Sequence, residues 1–263
     1  MSEASGRRNV RWQTVAPREA AHTRCTDRNG GALVASVENH LIERLPPRDR
    51  RLLLDACEPF ALQATAVLSE AGKPTRHLYF PITGFLSLVA PIEGHSGLEV
   101  GMVGREGMLG AHLALGVAAA PWRAQVQGPG DAWRLGAADF RQLQARSPAL
   151  RSALNRYLYM RMAQLAASAA CLHFHLIGPR LARWLLATQD CAQANTFRVT
   201  HEFLAYMLGV RRVGITVAAG ALQRAGLIEY HRGQLTVLDR EGLEAAACGC
   251  YATDRRAYVA LLR

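Results

Sequence analysis

The chain is predicted to be an α+β protein with a small N-terminal β-roll, one long helix and a C-terminal winged helix-turn-helix. Three observations predict it. Between about residues 63 and 134 short apolar segments alternate with glycines, and after Pro148 a helical period sets in and persists. After Thr200 two short helical patterns are followed by a hairpin pattern. The corresponding boundaries are a basic, poorly ordered leader at 1–32, the roll at 33–147 and the long helix at 148–177. The winged unit follows at 178–253, and a tail at 254–263.

Bulk composition limits the possibilities. Of 263 residues, half are hydrophobic and a fifth charged, the balance of a globular rather than a disordered chain. A formal net charge of +10 favours a polyanionic partner, either nucleic acid or an acidic membrane face. Lys73 is the only lysine, so the positive charge is carried by arginine, whose planar fork suits phosphate and guanine. Codon usage in a GC-rich genome would produce the same bias. No apolar run is long enough to span a bilayer, and residues 1–28 lack the apolar core of a signal peptide. No membrane partner and a cytoplasmic location are therefore expected. The six cysteines (Cys25, Cys57, Cys171, Cys191, Cys248 and Cys250) are scattered, and they are read as free thiols.

The elements follow from local pattern. Val37, Leu41, Ile42 and Leu45 recur at helical spacing until Pro46-Pro47, and Leu52, Leu53 and Leu54 mark a second short helix before Pro59. Apolar segments at 66–68, 78–80, 85–89, 98–103 and 123–126 are separated by glycines that supply the turns of a compact antiparallel roll. Leu150, Leu154, Leu158, Leu165 and Leu172 form a seam on a helix running from Pro148 to about His175, broken by Arg161 and Ser168. A helix that long beside a small roll needs a second cover. Pairing with its own copy is the economical solution, with packing inside one chain the alternative.

The C-terminal third carries the most specific signal. Leu181, Trp184, Leu185 and Leu186 mark an amphipathic helix, and 197–199 an extended segment. Thr200 is placed to cap a helix opening at His201, whose inward residues are Phe203, Leu204, Met207 and Leu208. After Gly209 a second helix from about Arg211 buries Ile215, Ala218, Ala219 and Leu222, and a hairpin turning at 231–233 follows. In such a unit the second helix enters the major groove N-terminus first. Arg211, Arg212, Val213, Thr216 and Val217 are then the base-reading candidates, because arginine bridges guanine while valine and threonine methyls meet thymine methyls. Thr200, His201 and Arg232 are the phosphate-contacting candidates.

These residues resemble the Crp/Fnr superfamily of transcription regulators. The likeness rests on the run from Thr200 to Arg212, on Gly214-Ile215-Thr216-Val217-Ala218-Ala219, and on Leu222-Gln223-Arg224-Ala225-Gly226-Leu227-Ile228. Cys248-Gly249-Cys250-Tyr251 is similar to a Cys-Glu-Cys-Tyr tail of one branch, and Gly104-Arg105-Glu106-Gly107-Met108-Leu109-Gly110 resembles a roll turn. The resemblance implies a cyclic-nucleotide-binding-like roll and a homodimer joined by the long helices. It further implies binding to a roughly palindromic operator in double-stranded DNA, with altered recruitment of RNA polymerase. The departures matter too. Ala111-His112-Leu113 lacks the glutamate of members that bind cyclic AMP, and Arg123 is followed by Ala124 rather than a hydroxyl residue. Arg123 and His112 remain the effector-binding candidates, with cyclic AMP disfavoured and the effector and any cofactor unknown. Val213 and Val217 replace the family's glutamate and second arginine, and His201 replaces a phosphate-contacting arginine, so a different operator is expected.

No metal ligand is assigned. Cys25 stands alone in the leader, which argues against an iron–sulfur cluster, and Cys248-Gly249-Cys250 is spaced more closely than structural zinc pairs. His77, His112, His173 and His175 are available, but lone histidines do not make a haem site. An enzyme, such as a thiol oxidoreductase using Cys248 and Cys250, is disfavoured by the absence of Cys-x-x-Cys and of a nucleotide loop. The competing reading is a ligand-sensing module whose winged unit docks protein instead of DNA.

Overall fold

The structure is a computed structural model that describes residues 39–93 and 97–262. The expected leader, and Val37 of the first helical pattern, lie outside the described residues. Two short helices open the described chain: α1 (His40–Glu43) and α2 (Pro47–Asp55). Pro47 sits in the first turn of α2, where its missing N–H costs nothing, so the Pro46-Pro47 pair starts one helix as much as it ends another. Asn39 caps α1 through its side-chain oxygen and donates from its amide to Pro81 O at 2.8 Å and Gly107 O at 2.9 Å. This fully buried side chain thus fastens the entry helix to the roll without leaving a polar atom unpaired.

The roll consists of seven strands in two antiparallel sheets. They are β1 (Glu58–Leu62), β2 (Val67–Ser69), β3 (His77–Pro81), β4 (Phe85–Ala90), β5 (Leu98–Val103), β6 (Arg123–Gly128) and β7 (Gly130–Gly136). One sheet has the order β1-β7-β3, the other β2-β6-β4-β5. Strands β1 and β7 are absent from the segments expected from pattern. A proline inside a short apolar run speaks against a strand, yet β1 lies at a sheet edge and tolerates Pro59. The interior is filled by Leu62, Tyr79, Leu86, Leu88, Val103 and Val126, all buried. A 3-10 turn, Ala111–Leu115, follows the glycine-bearing loop after β5.

Helix α3 (Ala137–Arg146) then leads into α4 (Pro148–Phe174), the long helix expected from the sequence. Ser147 caps it, accepting from Leu150 N at 3.0 Å. The leucine seam divides. Leu150 and Leu154, with Tyr157 and Met160, are buried against the roll and α3, so this half packs within its own chain. Leu165 and Leu172 are exposed, together with Tyr159 at 62% and Met162 at 68%. Arg161 interrupts the seam because it turns back to the roll, donating to Met102 O at 2.9 Å. Tyr157 is the seat of the helix. Its hydroxyl donates to Met108 O and accepts from Met108 N, both at 3.1 Å. A Cβ at residue 107 would lie 2.3 Å from that hydroxyl, so only glycine allows the approach.

The remainder is the winged unit: α5 (Ile177–Ala192), β8 (Thr196–Arg198), α6 (His201–Leu208), α7 (Arg212–Arg224), β9 (Ile228–His231), β10 (Gln234–Val237) and α8 (Arg240–Ala246). Its sheet has the order β8-β10-β9. Helix α9 (Cys250–Leu262) packs along α4 and takes up most of the segment expected as a tail. No single helix among the described residues is long and apolar enough to cross a membrane.

Replacing Tyr157 by phenylalanine strands the N–H and the carbonyl of Met108 while keeping the ring. The expected loss is about 1–3 kcal/mol in urea unfolding, with an unchanged far-ultraviolet spectrum. A loss near zero would show that water replaces the phenol.

Candidate nucleic-acid interface

The site begins with Thr200, whose hydroxyl accepts from Phe203 N at 3.1 Å and caps α6 as its position predicts. Gly209 ends α6 at φ +62°, the left-handed conformation that a Cβ would penalise, and a Cβ there would also lie 2.8 Å from Leu98. Arg180, buried on α5, donates to Leu208 O and neutralises the carbonyl end of α6. Together these contacts set the turn and the departure direction of α7.

Helix α7 is buried on one side and open on the other. Ile215, Ala218, Ala219 and Leu222 face the core of the winged unit. Arg211, Arg212, Val213, Thr216 and Val217 are all exposed, with Val213 at 70% and Val217 at 67%. Their spacing places them on one ridge along the first two turns. Exposed β-branched residues contribute nothing to helix stability, so the packing of this chain does not account for them. Arg211 is the N-cap, and it makes no side-chain bond to the free amides of the first turn. Those amides and the helix dipole point outward beside two guanidinium groups, an arrangement that attracts anions.

His201 joins the ridge to the wing. Its Nδ1 lies 3.1 Å from Thr216 Oγ1, and its ring stacks on Tyr230 with centroids 4.5 Å apart. Thr216 Oγ1 donates to Arg212 O at 3.2 Å, so Nδ1 carries the proton and donates to the hydroxyl. Nε2 is buried without a hydrogen-bond partner. Burial and then the neighbouring Arg212 push the imidazole pKa down, favouring the neutral ring. Tyr230 in turn donates to Val199 O at 3.0 Å. On the wing, Arg232 at φ +48° and Gly233 at φ +80° form a two-residue turn between His231 and Gln234. An arginine in this conformation is sterically costly, and the residue is exposed to solvent. Thr200, Arg232 and the ridge therefore lie on the open surfaces of one unit, whereas His201 is engaged inside it.

Residues 179–246 match a family model described as the Crp-like helix-turn-helix domain. The chain has the Crp/Fnr fold. A crp/fnr-family protein of Eubacterium rectale is 19% identical, with a TM-score of 0.61 over 80% of this chain and 99% of its own. The c-di-GMP responsive global regulator CLP of Xanthomonas campestris is 18% identical, with a TM-score of 0.61 over 73% of this chain and 99% of its own. A CRP/FNR-family transcriptional regulator of Thermus thermophilus is 23% identical, with a TM-score of 0.60, over 72% and 98% respectively. Among curated proteins none matches.

The two effector candidates stand apart from any cavity described. Arg123 is exposed at the start of β6 and pairs with Glu70 at 3.7 Å. His112 is buried on the 3-10 turn, its Nε2 2.9 Å from Thr75 Oγ1, and burial lowers its pKa. A cavity of about 380 Å³ lies instead where β5, α4, α5 and α9 meet, lined among others by Glu99, Glu106, Arg161, Trp184 and Asp190. Sequence reasoning missed it, because its walls come from three stretches far apart in the chain: β5, the α4–α5 pair and α9. Next to it, Cys171, His175, Cys248 and Cys250 converge, bringing to the closely spaced cysteine pair partners supplied by the long helix.

Glu99 couples roll and winged unit. It accepts from Trp184 Nε1 at 2.7 Å and from the Ser87 hydroxyl, with Arg161 of α4 close by. Enclosure in the cavity wall outweighs these favourable partners and pushes its pKa up to about 7. A carboxyl raised in the folded state favours folding fully below its unfolded pKa. That contribution is lost as pH rises through the folded value. Thermal stability should therefore fall between about pH 5 and 8, and Glu99→Gln, which keeps an oxygen for Trp184, should flatten that fall by about 1–3 kcal/mol. Calorimetry across this range checks it; equal slopes in both proteins would rule out Glu99 as the titrating group.

Proposed function

We propose that this chain is a transcription regulator that binds a roughly palindromic operator in double-stranded DNA as a homodimer. The observation that carries the reading is the open ridge of α7. Two guanidinium groups and two valine side chains stand clear of the protein, with the exposed Thr216 beside them, on a helix whose other side is locked into the core. Major-groove edges offer guanine acceptors and thymine methyls, the complement of such a set. Thr200 and Arg232 flank the ridge, where phosphates would pass, and the net charge of +10 supports approach to a polyanion. His201 acts here as the spacer that holds wing and recognition helix together.

The second half of the proposal concerns α4. Tyr159, Met162, Ala166 and Ala169 follow a three-four-three spacing on its exposed side, with Leu165 and Leu172 adjacent. This spacing is that of a coiled-coil seam, and a second copy of the same helix is its natural complement. Two copies related by a twofold axis would present two α7 helices to half-sites one duplex turn apart. Contact with RNA polymerase is the route by which such a dimer would act on transcription.

Selection of bound duplexes from a random pool should yield an inverted repeat. On it, Arg212→Ala should cost about 1–3 kcal/mol and relax preference at one base position per half-site. Affinity should also fall steeply with salt, by roughly a thousandfold or more between about 50 and 200 mM. A salt-insensitive association would favour protein docking by the winged unit instead. Separately, Met162→Glu should convert the dimer to a folded monomer in light scattering and abolish tight operator binding; an unchanged mass would remove α4 as the interface.

A further inference from the structure

We propose that Cys171, His175, Cys248 and Cys250 form a tetrahedral zinc site that clamps the end of the long helix to the winged unit. The four candidate ligand atoms, three sulfurs and one imidazole nitrogen, all lie within 4.8 Å of one another. Two of the separations are directly informative. Cys171 Sγ lies 3.4 Å from Cys248 Sγ, and Cys250 Sγ lies 3.6 Å from His175 Nδ1. With Zn–S near 2.3 Å and Zn–N near 2.0 Å, the edges of a tetrahedral site are ~3.8 Å between sulfurs and ~3.6 Å from sulfur to nitrogen. The cluster is thus already close to the size that the ion requires.

The chain builds the site from two independent pairs. Cys171 and His175 are four residues apart at the end of α4, so their side chains share one side of the helix. Cys248 lies in the connection after α8, where its N–H bonds to Pro179 O at 3.3 Å, and Cys250 opens α9. Gly249 between them has open space around it, so the short Cys-x-Cys loop bends both sulfurs inward without a clash. The close spacing that counts against zinc in the sequence alone is no obstacle when the second pair arrives from another element.

Chemistry selects the ion. Thiolate and imidazole donors in a closed four-coordinate site suit Zn²⁺, while the oxygen ligands preferred by calcium and magnesium are missing from the set. Three thiolates and a divalent cation leave one negative charge. Arg183 is within hydrogen-bonding reach of Cys171 and Arg180 lies close to both Cys171 and Cys248; with Asp254 paired to Arg183 at 2.8 Å, one net positive charge remains to offset the excess. A disulfide between Cys171 and Cys248 would use only two of the four groups and would require the sulfurs to close to ~2.05 Å. It would also leave the convergence of His175 and Cys250 unexplained. The remaining described cysteines, Cys57 and Cys191, lie outside the cluster and serve as internal controls.

The position gives the ion a mechanical role. Helix α4 ends at Phe174, His175 is its cap, and α5 starts at Ile177. The metal would join that joint to the α8–α9 connection and so hold the angle between long helix and winged unit.

The test uses the full-length protein, purified under reducing conditions and titrated with Zn²⁺ and, in parallel, Co²⁺. Elemental analysis should find about one zinc per chain, and cobalt should show tetrahedral ligand-field bands with thiolate charge transfer. Cys250→Ser and His175→Ala should lose stoichiometric zinc, and Cys57→Ser and Cys191→Ser should keep it. His175→Cys should retain zinc and intensify the thiolate charge transfer of the cobalt form. Circular dichroism monitors folding of each variant, and the cobalt spectrum of the unaltered protein decides independently of them. An octahedral or absent cobalt spectrum, zinc loss in Cys191→Ser equal to that in Cys250→Ser, or two thiols consumed by a disulfide under these conditions would each overturn the proposal.

Discussion

The phenol of Tyr157, bonded to both backbone groups of Met108 beneath a position that only glycine can occupy, decides how the long helix lies on the roll. Fixing that one side has consequences for the other. With Leu150, Ala153, Leu154 and Met160 spent on the internal core, Tyr159, Met162, Leu165 and Leu172 are left exposed along the other side. A helix 27 residues long cannot be covered on both sides by a small roll and one short C-terminal helix. The exposed stripe is therefore a product of the same contact that anchors the helix.

The winged unit obeys a parallel logic. Its core is built from α5, α6 and α7 around Leu181, Leu185, Leu204 and Ile215, and the side of α7 that the core does not use carries the polar and branched residues. Packing is thus confined to one side of the helix, and the residues proposed to read bases stand on the other. The stacked pair of His201 and Tyr230 extends the rigidity to the wing. Burial, and then the charge of Arg212, disfavour the charged imidazole at this position.

Much of this was legible in the residues. The cap at Thr200, the turn at Gly209, the buried pattern of α7 and the hairpin at 231–233 each depend on local rules, and local rules hold where a short segment makes its own contacts. The long helix was legible for the same reason, since Pro148 and a sustained period mark it. What escaped reading depends on distant partners. Strand β1 contains a proline that only its edge position excuses, and β7 is defined by pairing with β1 and β3. The division of the leucine seam required knowing which side met the roll. The four-residue cysteine–histidine cluster was invisible because half of it lies on α4 and half after α8, and no spacing rule spans that interval. Arg123 and His112 were chosen by likeness to family positions, yet each has a partner of its own, Glu70 and Thr75.

Between the last residue of α4 and the first of α5 stand only His175 and Leu176, both in extended conformation. Four backbone torsions are all the freedom the chain has at this joint. Any repositioning of the winged unit on the long helix must then be a swivel about those bonds, because there is no slack for sliding or lifting away. A lever with so short a pivot converts small torsional changes near the cavity into large excursions at the far ends of α7 and the wing.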